Sequence, residues 1–490
     1  MTNILQTDGY KFSMAQAGFP MRPETFYFSF RKGGPQWIPF DLEAEIRKMI
    51  PDVPTLKGSP ELEYAEANGY GLTDTMLAGL LGSPELEIQA VPAHTWVMPR
   101  EPIVTITGPS FLVSWLEPLV LRLFFPIQLA TALKRGMEPG EDISKAFLCT
   151  CNEQADIVRR VVEEVKPRNF DLGDYLRVDK AAYCDRVYQT AGALKRALGG
   201  DAGRIFEVGM RAATCEDQHL LALVTMQEQG ITRTSNVSGA FQYDMTPVGT
   251  MGHEHIQRWG DDLSAYRAMR DMRVGIPSYL LDTFDTINSG IPNAIRAMQE
   301  REHACSVRYD SGDKFGQYVY AHGQFMRHGV NPVHILEDGL NLEMTEKFEN
   351  LRKSFTELPP EKQLYGYGGH LVSRTWDNPI TRDRVAAVYK LSETSGEPRM
   401  KFGDERGLGK VSVPGRPVAW RRLRGDGPFS IIGQDGEQPP EDYIVLNGNP
   451  EAVSRVDLCK AWPNIKRTKF PYTLSPETQR LVGKIKDSRQ

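Results

Sequence analysis

The chain has 490 residues, 40% of them hydrophobic, with a formal net charge of -5 and a pI near 6.1. That is enough apolar sequence for a large core and for more than one domain. A mildly acidic chain carries no electrostatic footprint for nucleic acid or an anionic membrane, so phosphate binding would have to come from a local site.

The first residues, MTNILQTDGYKFSM, show neither a basic region nor an apolar stretch of the kind a secretory leader carries, and a cytoplasmic location is expected. Residues 24–31 (ETFYFSFR) alternate as a strand, and LEIQAVP and EPIVTITG read as two more, with a turn near PRE. The most apolar stretch is FLVSWLEPLVLRLFFPIQLATAL (111–133). Glu117, Pro118, Arg122 and Pro126 interrupt it, which predicts a buried helix rather than a membrane span. A hydrophilic break, GMEPGED (136–142), ends this first zone, a segment of mixed α+β character over 1–145.

From 146 to 392 the rhythm changes. Short β-type runs recur, each ending in a polar or glycine cluster: RIFEVGMR, GITRTSN, MTPVGT, SYLLDTFDT, CSVRYDSGD, VHILEDG, LYGYGG and AAVYKL. Stretches of helical spacing lie between most of them. About eight strand–helix alternations predict an α/β fold of the parallel barrel kind, with a site where the strands end. An open doubly wound sheet would carry a glycine fingerprint after its first strand, and no G-x-G-x-x-G occurs. The last zone, 393–490, is rich in turns and charge and reads as β-rich with long loops. The six cysteines, at 149, 151, 184, 215, 305 and 459, form no C-x-x-C and are expected as reduced thiols.

The chemistry sits at the predicted strand ends. LDTFDT brings Asp282 and Asp285 together, VRYDSGD carries Arg308, Asp310 and Asp313, and LEDG supplies Glu337 and Asp338. Carboxylates at one barrel mouth suit Mg²⁺ or sugar hydroxyls, although each alone is more often a helix cap or turn residue. The glycine turns DGL and GYGGH (366–370) offer backbone N–H groups to phosphate. Arg211, Arg308, Lys390, Lys401, Arg406 and Lys410 are candidate anion partners. In PVGTMGHEH (247–255), zinc binding by His253 and His255 lacks an obvious third ligand. A hydrogen-bonded core histidine and a proton- or phosphoryl-transferring histidine both stay open.

Taken together and in order, TDGYKFSM, FEVGMR, TSNV, PVGTMGHEH, LLDTFDTINSGIPNA, VRYDSGD, GYGG and YKLSETSGEPRMKFG resemble the nicotinate phosphoribosyltransferases, type II enzymes related to nicotinamide phosphoribosyltransferase. The resemblance implies an irregular parallel (β/α) barrel with a second α+β domain built from the N- and C-terminal segments. It implies transfer of 5-phosphoribosyl from phosphoribosyl pyrophosphate (PRPP) to nicotinate, with Mg²⁺, and ATP as co-substrate through a transient phosphohistidine at His253. Asp282 and Asp310 would stand near ribose and metal, and Arg211 and Arg308 around base and phosphates. Asp338, Gly339, Gly368 and Gly369 would hold the 5-phosphate, with Arg31, Lys401 and Lys410 also binding substrate. Tyr10 matches an aromatic that a neighbouring subunit lays over the pyridine ring, which implies a homodimer with shared sites.

Three positions depart from the family pattern: Val208 stands where Phe is usual, Gly252 where Ala is common, and His370 where a small residue is usual. Ser235 stands where nicotinamide-using relatives carry an aspartate. A hydroxyl can donate to a carboxylate that an aspartate would repel, so nicotinate is expected over nicotinamide. Nicotinamide as substrate, the related quinolinate reaction and a catalytically inactive nucleotide-binding relative are the alternatives.

Overall fold

The computed structural model describes residues 3–51, 58–81, 85–136, 143–167, 171–354, 358–373, 378–402, 412–423, 429–452 and 472–487. Within them the chain is mixed α/β. One sheet is antiparallel and five-stranded, in the order Glu397–Pro398, Ala387–Thr394, Pro23–Phe30, Val104–Pro109, Glu87–Ala90. Pro23–Phe30 is the middle strand, which explains its run of alternating aromatic and small polar residues. Phe26, Phe28 and Phe30 face apolar neighbours, and Thr25 on the other face shares a hydrogen bond with Thr107 at 2.9 Å.

The long apolar stretch forms three consecutive helices, Ser110–Trp115, Glu117–Arg122 and Phe124–Arg135, against this sheet. Pro118 occupies the first turn of the second, where no backbone donor is lost. Ser110–Arg135 is long and apolar enough to cross a membrane by composition, but 94% of its most apolar window is buried inside the protein. The expected core helix is what forms.

The second large sheet is parallel, seven-stranded and curled into a half-barrel. Its order is Thr246–Pro247, Arg233–Thr234, Ile205–Glu207, Gln363–Tyr367, Val333–Leu336, Ser306–Tyr309, Ser278–Leu280. This is the cyclic order of a barrel, since the last strand in the chain pairs with the first, Tyr365 opposite Ile205. Seven of the eight expected runs supply strands. The circle is left open between Thr246–Pro247 and Ser278–Leu280, where His253–Trp259 and Asp262–Met272 intervene as helices. Tyr279, Tyr309, Tyr365 and Tyr367 are fully buried between the sheet and the helices packed on it.

The eighth run, AAVYKL, does not join the barrel. It becomes Ala387–Thr394 and pairs antiparallel with Pro23–Phe30, Tyr389 opposite Phe28. There the Tyr389 ring stacks on Phe26 with centroids 5.1 Å apart. A short apolar run fits either kind of sheet, and only its partner decides which. Beyond it, Tyr443–Val445, Pro417–Arg422, Ser430–Gln434 and Tyr472–Leu474 form a four-stranded sheet followed by helix Pro476–Asp487.

Candidate functional site

The strand ends converge beside the gap in the half-barrel. The helix Gly9–Gln16 lies against the loop after Thr246–Pro247 so closely that no side chain fits between them. A Cβ on Gly249 would stand 2.6 Å from the Tyr10 nitrogen, and one on Gly9 would stand 2.7 Å from the Val248 carbonyl. These two glycines bring Tyr10 to the mouth.

His253 opens the helix His253–Trp259 and is buried. Its Nδ1 is 3.0 Å from Thr283 Oγ1, and its Nε2 is 3.2 Å from Asp310 Oδ2, 3.7 Å from Asp282 Oδ1 and 2.7 Å from Lys401 Nζ. Burial and the Lys401 ammonium push its pKa below the ordinary histidine value, against the pull of Asp282 and Asp310. The ring is therefore neutral near pH 7. Lys401 can only donate, so with Lys401 bonded to Nε2 the ring proton sits on Nδ1 and is donated to Thr283. That tautomer leaves the Nε2 lone pair directed at the acid and ammonium cluster.

His253, Asp282 and Asp310 offer atoms lying within 4.8 Å of one another, with the two carboxylates arriving from the ends of two other strands. Asp282 is fully buried and its Oδ1 has no hydrogen-bond donor among the described residues, which suits a cation. Arg308, with Lys401 nearby, holds the Asp310 carboxyl well below the usual carboxylate range despite its burial. These carboxylates fit a divalent cation. His255 takes no part: its Nε2 donates to the Ala265 carbonyl at 3.1 Å, and burial with the Arg258 charge pushes its pKa down to about 3. Asp285 and Asp313 accept backbone N–H bonds as helix caps, the bland role open to them from sequence.

A cavity of about 520 Å³ runs into the half-barrel beside this cluster. Tyr10, Phe206, Val208, Arg211, Ser235, Thr250, Arg308 and Glu337 are among its lining residues. Arg308 is fixed by bonds to Thr250 Oγ1 at 2.6 Å, the Met251 carbonyl at 2.9 Å and Asp310 Oδ1 at 3.0 Å. Arg211 is 3.4 Å from Glu117 and 3.7 Å from Asp8 and keeps about a quarter of its side chain exposed. Burial pushes the carboxyls of Asp8 and Glu337 up, the nearby arginines notwithstanding. The aromatic that Val208 does not supply is present two residues earlier, since Phe206 lies on the same side of the chain and lines the cavity.

One expectation is corrected here. Ser235 does face the cavity, but its hydroxyl donates to Asp8 Oδ1 at 2.5 Å and is not free for a substrate carboxylate. Its neighbours Thr234 and Asn236 are structural: Thr234 donates to buried Glu207 at 2.6 Å and Asn236 caps the next helix. Tyr10 lines the cavity of its own chain, where its hydroxyl donates to Glu117 at 2.9 Å.

The glycine turns stand at the ends of their strands as expected. Asp338 and Gly339 both take left-handed backbone, φ 59° and 64°, and Lys314 donates to the carbonyls of Glu337, at 2.9 Å, and Asp338. Gly368 and Gly369 start the turn Gly369–Val372, and His370 sits in it, half-buried, with Arg186 donating to the carbonyls of 370, 371 and 372. Arg31 is close enough to this region that Asp338 affects its charge. Lys410 and Arg406 lie outside the described residues.

Sequence reading passed over Arg382. Its pKa is lowered by burial and then by Arg211, and Asp338 is within electrostatic reach. Lys390 is pulled down to about 7, first by burial and then by Lys401, Arg31 and Arg211, with Glu117 opposing. Arg31 and Arg382 thus lie within electrostatic reach of the Asp338 turn, and Lys390 is repelled in turn by Lys401, Arg31 and Arg211. Their positions in sequence are scattered, so no local pattern could have announced this arrangement.

The fold is a curled parallel half-barrel with charged groups gathered at its mouth, and the same fold occurs among known proteins. No family model matches the chain. A nicotinate phosphoribosyltransferase of Bacillus subtilis is 26% identical over 269 residues, 53% of this chain and 50% of the relative. One from Mycobacterium tuberculosis is 27% identical over 260 residues, 51% and 52% of the two chains. These matches span about half the length of each relative. One from Herminiimonas arsenicoxydans is 23% identical over 83% of this chain and 93% of its own. Among solved structures, nicotinate phosphoribosyltransferase from Porphyromonas gingivalis has TM-score 0.57 at 19% identity, covering 84% of this chain and 96% of the other. The Vibrio cholerae structure has TM-score 0.54 at 19% identity, covering 82% and 88%. The chain is thus similar in sequence to nicotinate phosphoribosyltransferases and shares the fold of their solved structures.

Proposed function

We propose that the protein transfers 5-phosphoribosyl from PRPP to nicotinate, giving nicotinate mononucleotide and pyrophosphate, a salvage step towards NAD. The observation that carries this is the placement of a buried acid cluster and an aromatic-lined cavity beside Lys390 and Arg382, whose pKa values burial and neighbouring cations lower. Cations crowded in this way are relieved by a polyanion, and a diphosphate leaving group is one. Asp282 and Asp310 would hold the Mg²⁺ that accompanies PRPP. When bound, that ion neutralises charge on the departing pyrophosphate. The carboxylates also face the electron-poor anomeric carbon as its bond to oxygen breaks. Tyr10 and Phe206 orient the pyridine ring, with Arg211 and Arg308 placed for its carboxylate.

His253 is the group assigned to ATP coupling. As a neutral imidazole with Nε2 unprotonated, it can accept a phosphoryl group once Lys401 yields. A second reading, nicotinamide as the base, draws on Asp8: its carboxylate faces the cavity and could accept an amide N–H.

The test is mass-detected product formation from PRPP–Mg²⁺ with each base, with and without ATP, in the wild type and in His253→Ala. Greater kcat/KM for nicotinate is expected, with ATP stimulation lost in the variant while uncoupled transfer continues. Preference for nicotinamide would establish the second reading. Tight PRPP binding without turnover on any pyridine base would defeat both and point to an inactive relative.

A further inference from the structure

The sequence holds a short motif twice, at 64 residues' separation: TCNEQ (150–154) and TCEDQ (214–218). In both copies the cysteine is the N-cap of a helix, Asn152–Val165 for Cys151 and Glu216–Gln227 for Cys215. In both copies the glutamine folds back on the threonine. Gln154 Oε1 accepts from Thr150 N and Oγ1, each at 2.8 Å, and Gln218 Oε1 accepts from Thr214 N at 2.7 Å and Oγ1 at 3.0 Å. The two helix starts face each other. Asp217 N donates to Glu153 Oε2 across the junction at 2.8 Å, and Cys151 Sγ lies 3.4 Å from Cys215 Sγ. Neither sulfur makes the usual capping bond to its own helix.

We propose that Cys151 and Cys215 are a reversible disulfide site that small-molecule disulfides oxidise. The glutamine clamps and the Asp217–Glu153 bond hold the two backbones in register, so little beyond the sulfurs must move. Closing from 3.4 Å to a bond of about 2.05 Å needs an approach of roughly 1.4 Å. The pair is asymmetric in access: Cys151 is partly exposed and Cys215 is buried. It is also asymmetric in acidity. The Cys215 S–H bond holds the Cys151 thiol below its ordinary value, and burial holds Cys215 well above it. Cys151 is therefore the attacking sulfur and Cys215 the resolving one.

The steps balance with glutathione disulfide as oxidant. The Cys151 thiolate attacks one of its sulfurs, that S–S bond breaks, and glutathione leaves and takes up a proton. Cys215 then loses its proton and attacks the Cys151 sulfur, releasing a second glutathione. The protein gives up two hydrogens and the oxidant becomes two thiols. The new bond would pin the loop that carries Arg211 at one end and Glu216 at the other. Glu216 accepts from Arg122 at 2.7 Å and from Asn236 at 3.3 Å.

The test incubates the full chain with excess glutathione disulfide, blocks free thiols and maps peptides without reductant. One cross-link is expected, joining the peptide that contains Cys149 and Cys151 to the one that contains Cys215, reversed by dithiothreitol and absent from Cys151→Ser. Serine is a favoured N-cap, so both serine variants should fold, which their melting curves check. In Cys215→Ser, glutathione should instead remain on Cys151 as a stable mixed disulfide. A cross-link that persists in Cys151→Ser, glutathione accumulating on Cys151 in the wild type, or both thiols staying fully alkylatable would each overturn the proposal.

Discussion

Glu24 and Arg258 tie the antiparallel sheet to the helix that begins with His253, and removing one of them should loosen that helix. Glu24 lies on the middle antiparallel strand and Arg258 on His253–Trp259. Their contact is two-pronged, Nε to Oε1 at 2.6 Å and Nη2 to Oε2 at 2.7 Å, and both side chains are buried. Ser110 and Thr394 each donate to the same carboxylate at 2.9 Å. Arg258 remains a cation, held so by Glu24 against its burial. In Glu24→Leu that charge stays buried with its partner gone. Two charge-assisted bonds at about 1.5–3 kcal/mol each give roughly 3–6 kcal/mol, in line with the ~3–5 kcal/mol typical of breaking a buried pair from one side. The assay is urea denaturation, reading the first cooperative transition, with Arg258→Met and the double variant completing a cycle. The double variant should cost clearly less than the two single variants combined. A loss under about 1 kcal/mol in Glu24→Leu, or strict additivity, would refute the reasoning.

Two further outcomes follow from Lys401 and Lys390. Lys401→Met removes the ammonium 2.7 Å from His253 Nε2, so the His253 pKa should rise towards its ordinary value, read from the imidazole proton shift against pH; an unchanged or lower value would contradict the assignment. Lys390 has a folded pKa near 7, below that of the unfolded chain. Between those values the unfolded state binds the proton and the folded state does not, so stability rises with pH from about 7 to about 10.4. Lys390→Met should flatten that slope by somewhat less than about 1.4 kcal/mol per pH unit, since the side chain is only partly buried. Denaturation at several pH values checks it, and an identical slope in the variant would count against a depressed Lys390.

Much of the fold was legible because patterning is local. Seven of the β-type runs became parallel strands with their charged residues at the carboxyl ends, and the apolar stretch became buried helices. AAVYKL was misplaced because a run of that length carries its strand character but not its partner. At the site, His253, Asp282 and Asp310 were nameable one at a time as strand-end residues. Ser235 was named too, but the use of its hydroxyl depended on Asp8, 227 residues away. Arg382 and the fold-back of Tyr10 into its own chain's cavity had no local signature.

The sequence by itself therefore determined which segments are strands, which stretch is core and which charged residues stand at strand ends, because periodicity, turns and side-chain type are properties of neighbours in the chain. The tertiary structure decided the rest: where the barrel stays open, which sheet takes the strand Ala387–Thr394, and how Lys401 comes to rest on His253. These are contacts across 148 residues and more, and their energies depend on burial and on the distance between charges, which no short window of sequence contains.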